Sequence, residues 1–218
     1  MTATLTLYHF PNACSQVCLC ALEETGLEFR LELIDLATNQ QASNEYAIVS
    51  PLGKVPALRA EGTIITENAA ILTYIAALCP DARLFPVATS PLELAERQSG
   101  LSFCGGTLHP IVRGIAAPHR LTDGEVEPVY SRATALAEKN FAFAERRIAE
   151  RGWWLGEWSL IDFYLNWALQ TARRGGYDLA RFPQLEGLHD RLMNRPAFAR
   201  VMDMEEKSIS TLADRGAP

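Results

Sequence analysis

Residues 8–18 read Tyr-His-Phe-Pro-Asn-Ala-Cys-Ser-Gln-Val-Cys, and two different periodicities of the chain meet there. The apolar run 5–10 leads into a proline and an asparagine, which favour a turn because proline fixes φ and asparagine tolerates left-handed geometry. From residue 17 to residue 25 the apolar side chains follow helical spacing, and Gly26 is typical of a helix end. The stretch therefore predicts a strand, a turn and a helix, with Cys14 at the helix N-terminus.

Cys14 is the first candidate for chemistry. The free backbone N–H groups and the dipole of a helix N-terminus favour negative charge, so a thiol placed there ionises more easily than a free thiol. A buried, unreactive cysteine is the alternative that these residues leave open. The spacing Cys14-x3-Cys18-x-Cys20 lacks the C-x2-C pair of zinc knuckles and thioredoxin-type dithiols. It therefore predicts neither a metal site nor a redox dithiol.

Composition narrows the choice of partners and of compartment. The chain has 218 residues, with 20 basic and 26 acidic side chains and a net charge of −6, which argues against nucleic acid or an anionic membrane as partner. Its most apolar run, 69–78, is too short to span a bilayer. The N-terminus has no basic region typical of a secretory signal. Five cysteines in such a chain predict reduced thiols in a cytoplasm.

The first third of the chain alternates strands and helices. Turn residues and the change between period 2 and period 3.6 predict the order β-α-β-α-β-β-α. The predicted strands are 4–10, 28–34, 55–59 and 63–66, and the predicted helices are 17–25, 44–49 and 67–78. Three prolines within 80–91 indicate a linker.

After the linker the pattern is helical throughout. Ser90 and Ser159 are predicted helix caps, each with an acidic residue three positions later. Residues 129–151 carry an apolar stripe that we expect to face the core. Its members are Val129, Ala133, Leu136, Phe143 and Ile148. The remaining helices are predicted at 94–117, after Ser159, at 183–193 and at 197–204. The domains are therefore expected at 1–81 and 92–218, joined by linker 82–91.

Four motifs in order resemble the cytosolic glutathione S-transferase family, most closely its bacterial beta class. The Pro-x-Ala-Cys-Ser stretch ending at Ser15 is similar to the active-site loop of that class. Residues 50–58, Ser-Pro-Leu-Gly-Lys-Val-Pro-Ala-Leu, resemble the loop that binds the glutathione backbone, in which the final proline is cis. Residues 66–71 resemble the Glu-Ser motif for the γ-glutamyl group, and residues 159–162 resemble the family's helix-capping box.

The resemblance implies a fold and an activity. It implies an α+β chain in which a thioredoxin-like, glutathione-binding domain precedes an all-helical domain that carries the electrophile pocket. It implies conjugation of glutathione to hydrophobic electrophilic small molecules, in detoxification, with glutathione as co-substrate and no prosthetic group. A homodimer is implied as well, since these enzymes pair the first domain of one subunit with the second domain of the other.

The resemblance also assigns candidate ligands for glutathione in the first domain. Lys54, Val55 and Pro56 fall on the backbone-binding loop, where an exposed Val55 backbone would pair with the tripeptide as a strand does. Glu67 and Asn68 fall on the γ-glutamyl motif: the helix N-terminus would take the carboxylate and Glu67 the ammonium. The family usually has serine at position 68. Pro56 as an ordinary strand start, and Glu67 as a complement to the helix dipole, are the structural alternatives.

Further candidates depart from the family pattern or lie in the second domain. His9 stands where these enzymes often have tyrosine, and it is expected either to polarise a thiol near Cys14 or to lie in the core. Ser15 is a candidate because serine-type relatives hold the thiolate with a hydroxyl at this point of the loop. His109 matches a histidine near the catalytic cysteine, and Ser102 matches an asparagine that contacts glutathione. Cys14, Ser15 and His109 are thus the predicted catalytic residues.

Two other functions remain open on the sequence. In the first, Cys14 forms a mixed disulfide with glutathione and performs thiol transfer or reductive deglutathionylation. In the second, the chain only binds glutathione or another ligand without turnover. A conjugation assay run beside a disulfide-reduction assay distinguishes these functions from glutathione conjugation.

Overall fold

The computed structural model describes residues 5–215. The first strand was predicted to start at Thr4, which lies outside the described residues. Residues 1 and 218, the predicted outer ends of the two domains, lie outside them as well. Within them the chain forms two compact units. One contains the residues up to Ala82 together with those from Met193 onward, and the other runs from Arg83 to Leu192.

The first unit contains a four-stranded sheet in the order β2-β1-β3-β4. Its strands are β1 (Leu5–His9), β2 (Phe29–Leu33), β3 (Ala57–Ala60) and β4 (Thr63–Thr66). Strand β1 is parallel to β2 and antiparallel to β3, and β3 is antiparallel to β4. The helices of this part are α1 (Ser15–Thr25), the short α2 (Asn44–Ala47) and α3 (Asn68–Leu78). The predicted thioredoxin-like order is therefore confirmed.

Strand β1 places its side chains alternately on the two faces of the sheet. Leu5, Leu7 and His9 are buried on one face. Tyr8 points to the other face, where its ring meets Tyr46 edge-on at 5.9 Å between centroids. A polar ring at the end of a buried apolar row requires polar partners in the interior.

The second unit consists of helices joined by loops and turns, with no strand among its described residues. Its helices are α4 (Pro91–Ser102), α5 (His109–Ala116), α6 (Glu127–Arg151), α7 (Leu160–Arg174), α8 (Pro183–Glu186) and α9 (Leu188–Met193). One turn of π-helix, Phe103–Leu108, joins α4 to α5, so the single helix predicted at 94–117 is interrupted there. The predicted helical second domain is confirmed.

The buried face of α6 differs from the predicted stripe. Its buried residues are Ala133, Ala137, Phe141, Ala144 and Ile148. Phe143 is 43% exposed, so its assignment to the core was wrong. The alanines follow helical spacing as well as the larger residues do, and close helix packing selects them because they are small.

The last helix, α10 (Pro196–Arg215), extends beyond the predicted end at 204 and groups with the first unit. It lies against α1, where Arg195 binds both carboxylate oxygens of Glu24, at 2.8 and 2.9 Å. Arg200 donates to Glu23 at 2.9 Å. These ion pairs link α10 to α1 within the first compact unit, and the predicted domains 1–81 and 92–218 stay a prediction.

None of the helices within residues 5–215 is both long and apolar enough to cross a membrane.

Candidate active site

The turn between β1 and α1 carries Cys14. Asn12 adopts φ 62, the left-handed conformation that asparagine tolerates. The amide of Ala13 donates to the carbonyl of Phe10 at 3.1 Å, and the amide of Val17 donates to that of Cys14 at 3.2 Å. Cys14 is the residue that immediately precedes α1. The predicted strand, turn and helix are confirmed, and they place the Cys14 thiol beside the first turn of the helix.

Cys14 differs from three of the other cysteines in its surroundings. Its side chain is 8% exposed, and its Sγ donates to the carbonyl of Val55 at 3.5 Å. Burial raises the pKa of the Cys18, Cys20 and Cys104 thiols well above the ordinary value, so these three are protonated near neutral pH. All five cysteines are free thiols. The contact between Cys14 and Val55 joins two predicted site loops that are 41 residues apart.

Ser15 and His9 are both fully buried. The Oγ of Ser15 lies 2.8 Å from Nδ1 of His9. The same hydroxyl accepts from the amide of Phe10 and donates to its carbonyl, both at 3.3 Å. The structure therefore brings these two predicted residues together beneath the turn, where neither side chain presents an atom to solvent. Of the two roles expected for His9, this position agrees with that of a core histidine with polar partners.

The loop before β3 lies beside Cys14. The Val55–Pro56 peptide is cis, as the resemblance implied. Lys54 extends an exposed side chain, while its backbone amide donates to Ser50 Oγ at 3.1 Å and its carbonyl accepts from Tyr46 at 2.9 Å. These two contacts fix the backbone immediately before Val55.

The N-terminus of α3 presents Glu67 to solvent and turns Asn68 inward. Glu67 is exposed and adopts φ 70, an unusual value for a residue with a side chain. Asn68 is 5% exposed, and its Oδ1 accepts from Cys18 Sγ at 2.9 Å. The carboxyl group of Glu67 is therefore open to a ligand. The backbone amide of Asn68 begins α3 and can donate to one, while its side-chain oxygen accepts from the thiol of Cys18.

Ser102 and His109 lie in the second unit. Ser102 is the exposed last residue of α4. His109 begins α5, with Nδ1 at 3.3 Å from the hydroxyl of Tyr164 and its ring edge-on to Trp167 at 4.6 Å between centroids. His109 is thus half-buried in an aromatic cluster of the helical unit, and its predicted role in catalysis stays a prediction.

Sequence reasoning missed Glu205, which lies on α10 and is 5% exposed. Its Oε2 accepts from the amide of Asn12, and its Oε1 lies 3.1 Å from Nε2 of His9. No local pattern indicates this carboxylate, because it lies 193 residues from the turn that it contacts. In the described part of the chain, no group of three or more histidine, cysteine or acidic residues is placed to hold a metal ion.

Comparison with known proteins agrees with this geometry. A family model described as glutathione S-transferase, N-terminal domain, matches residues 3–77. Glutathione S-transferase GstA of Escherichia coli O157:H7 is 26% identical over 204 residues, which cover 92% of this chain and 98% of that protein.

Two solved structures extend the likeness over both units. A sphingomonad glutathione S-transferase complexed with glutathione is 32% identical, with a TM-score of 0.82, over 92% of this chain and 98% of that one. A bacterial beta-class glutathione S-transferase of Sphingomonas chungbukensis is 31% identical, with a TM-score of 0.81 and the same coverage. On the shared motifs, fold and sequence, this chain belongs to the glutathione S-transferase family.

Proposed function

We propose that this protein conjugates glutathione to hydrophobic electrophilic small molecules, as a transferase similar to the bacterial beta class. Glutathione is its co-substrate, with no prosthetic group. The observation that carries the proposal is the place of Cys14, beside the first turn of α1 and 3.5 Å from the Val55 carbonyl. The likeness to the sphingomonad enzyme complexed with glutathione and to the beta-class enzyme supports it.

The first unit supplies the groups that a glutathione site needs. The Val55 backbone pairs with the cysteinyl amide of the tripeptide, and this places the glutathione sulfur near Cys14. Glu67 accepts from the γ-glutamyl ammonium, and the amide of Asn68 donates to the γ-glutamyl carboxylate at the start of α3. The exposed cation of Lys54 attracts the carboxylates of glutathione.

Catalysis of conjugation rests on ionising and aligning the glutathione thiol. The sulfur of glutathione attacks the electrophile, a leaving group departs or a double bond accepts the electron pair, and the thiol proton goes to solvent. Cys14 contacts this sulfur in the proposal, whereas Ser15 and His9 act from beneath the turn because both are fully buried. The electrophile binds in the helical unit. Ser102 and His109 of that unit remain the candidates that the resemblance assigns to glutathione and, for His109, to catalysis.

Thiol transfer is the second candidate, and the position of Cys14 supports it. Cys14 is the thiol that lies beside the Val55 carbonyl, whereas burial raises the pKa of the Cys18, Cys20 and Cys104 thiols well above the ordinary value. The Cys14 thiolate would attack a disulfide of glutathione, form a mixed disulfide and release the other thiol. A second glutathione thiolate would then release oxidised glutathione and restore Cys14.

One substitution separates the two activities. Cys14→Ala should abolish disulfide reduction, because no neighbouring hydroxyl replaces a sulfur nucleophile. Conjugation of glutathione to chlorodinitrobenzene should survive in part, because the attacking sulfur belongs to glutathione. Cys79→Ala is the matched control, since Cys79 is a partly exposed thiol at the far end of α3.

Three results would contradict the assignments. Undiminished disulfide reduction by Cys14→Ala would remove Cys14 from thiol transfer. Loss of both activities in Cys79→Ala would show that the assays do not report on the proposed site. A wild-type protein that binds glutathione in calorimetry but turns over neither substrate would leave the non-catalytic function instead.

We further propose a homodimer that works in a cytoplasm, in detoxification. The reduced state of all five cysteines agrees with such a compartment. Sedimentation at micromolar concentration should give twice the chain mass of 24.1 kDa, and a mass of one chain would refute the dimer.

A further inference from the structure

A buried polar network lies directly beneath the turn that carries Cys14. Glu205 of α10 accepts from the amide of Asn12 through Oε2 and faces Nε2 of His9 through Oε1 at 3.1 Å. The other ring nitrogen of His9 lies 2.8 Å from Ser15 Oγ. One carboxylate therefore contacts the middle of the turn directly and its two ends through His9, since His9 ends β1 and Ser15 begins α1.

The burial of these polar groups costs free energy unless each of them has a polar partner. Glu205 is 5% exposed and His9 is fully buried. Removing a carboxylate from water is unfavourable unless polar partners compensate it, and here the Asn12 amide donates to Oε2 while the His9 ring lies 3.1 Å from Oε1. Loss of the carboxylate would in turn leave the amide and the ring nitrogen without their partner in the interior. The turn and the helix are thus coupled at this point.

Ion pairs with α1 hold helix α10 in a position from which the Glu205 carboxylate contacts the turn. Arg195 and Arg200, near its beginning, bind Glu24 and Glu23 at the end of α1. Position 205 lies about two and a half helical turns from the start of α10, where it reaches the turn that precedes α1. The two helices therefore contact each other at both ends of α1, with ion pairs at one end and Glu205 at the other.

We propose that Glu205 is a positioning residue for Cys14, acting through His9 and the amide of Asn12. This inference rests on the proposed function. The carboxylate touches no substrate; it holds the turn in the conformation that sets the Cys14 thiol beside the Val55 carbonyl. In thiol transfer the Cys14 sulfur is the reacting group. A displacement of about one ångström in a reacting group costs as much as 100-fold in rate, so a loosened turn should reduce disulfide reduction strongly.

Two substitutions of Glu205 separate positioning from charge and from general stability. Glu205→Ala removes both contacts. Glu205→Gln keeps the acceptor for the Asn12 amide, and its NH₂ group donates to Nε2 of His9 in the tautomer that carries its proton on Nδ1, toward Ser15 Oγ. Glu206→Ala is the matched control, since Glu206 is the exposed neighbour on the same helix. Circular dichroism of each full-length variant measures the folded fraction, by which activity is normalised.

Hydrogen–deuterium exchange tests the contact itself, with or without activity. In Glu205→Ala, exchange in a peptide spanning residues 10–15 should become at least about tenfold faster than in wild type, because the Asn12 amide loses its buried acceptor. Glu205→Gln and Glu206→Ala should exchange like wild type in this peptide. Unchanged exchange in Glu205→Ala would overturn the inference. A wild-type protein without activity would refute the proposed function. The exchange rate of the peptide spanning residues 10–15 would still show whether Glu205 holds the turn.

Kinetics test the positioning role. Glu205→Ala should lower kcat for disulfide reduction, in which Cys14 is the nucleophile, about tenfold, with KM for glutathione within about twofold of wild type, because the groups proposed to bind the tripeptide are untouched. Glu205→Gln should retain kcat within about twofold. A faster-exchanging turn with unchanged kcat, or a loss in Glu205→Gln equal to that in Glu205→Ala, would overturn the inference. If Glu205→Ala fails to fold, His9→Phe replaces it in this test. Phenylalanine keeps an aromatic ring at this position but removes both ring nitrogens, which breaks the same network. The same loss of kcat is expected.

Discussion

Asp162 provides a pH-dependent test of the second unit. It lies fully buried at the start of α7, where its carboxylate accepts from the amides of Trp154 and Ser159, both at 2.9 Å, and from the Ser159 hydroxyl at 3.1 Å. The predicted capping box of Ser159 and Asp162 is thereby confirmed. Burial outweighs these hydrogen bonds and raises the pKa of Asp162 from 3.8 to about 6.

The raised pKa fixes the sign and the size of the effect. Between the two pKa values the folded protein keeps the Asp162 proton while the unfolded chain loses it, so stability falls as the pH rises through this range. A shift of about two units corresponds to about 3 kcal/mol, because one unit is worth about 1.4 kcal/mol. Asp162 should therefore contribute roughly 2 kcal/mol less stability at about pH 7 than at about pH 4.

Urea unfolding of Asp162→Asn at both pH values measures this difference. The variant loses one hydrogen-bond acceptor at every pH, since its NH₂ group cannot accept from the Ser159 amide. Its free energy of unfolding should approach that of wild type by roughly 2 kcal/mol between about pH 4 and about pH 7. Ser159→Ala keeps Asp162 but removes a hydroxyl that lowers its pKa, so its stability should fall with pH at least as steeply as that of wild type. A gap between wild type and Asp162→Asn that is constant with pH would refute the reasoning.

Two further substitutions test the glutathione site and the helix packing. Glu67→Gln should weaken glutathione binding about tenfold in calorimetry, because it removes a charge-assisted hydrogen bond. Glu61→Gln is its control at a second exposed residue with positive φ, and equal affinities of the two variants would exclude Glu67 as a ligand. Gly114→Ala should lower the free energy of unfolding by about 1–2 kcal/mol, since its new Cβ would lie 2.8 Å from that of Ala133. Gly106→Ala, with nothing within 4 Å of the new Cβ, should not destabilise, and equal stabilities of these two variants would contradict the packing argument.

Local chemistry allowed the order of elements and the turn at Cys14 to be predicted from the sequence. Proline and asparagine at the turn, Gly26 after α1 and the serine caps each act on backbone groups within a few residues. Their effects on the local structure can therefore be predicted from the sequence without knowledge of the fold. The cis Val55–Pro56 peptide came from the resemblance and is confirmed. The assignments of His109 and Ser102 stay predictions.

The sequence predicted the packing between distant segments only in part. Phe143 belonged to an apolar stripe by spacing, yet the small residues of α6 form the buried face and Phe143 is 43% exposed. Hydrophobicity ranks phenylalanine above alanine, whereas close approach of two helices favours the smaller side chain. The spacing of a helix therefore predicts that one face is buried, and the neighbouring helix decides which one.

The sequence by itself determined the local structure of this protein: a strand, a turn and a helix that present Cys14, followed by the helices and strands of two compact units. Only the tertiary structure decided which side chains are buried beneath the turn at Cys14. It buried Ser15 and His9, turned the Asn68 side chain toward Cys18, and brought Glu205 to the turn from 193 residues away. Turn and cap preferences act between neighbours along the chain, whereas a buried hydrogen-bond network depends on which segments the packed core brings together.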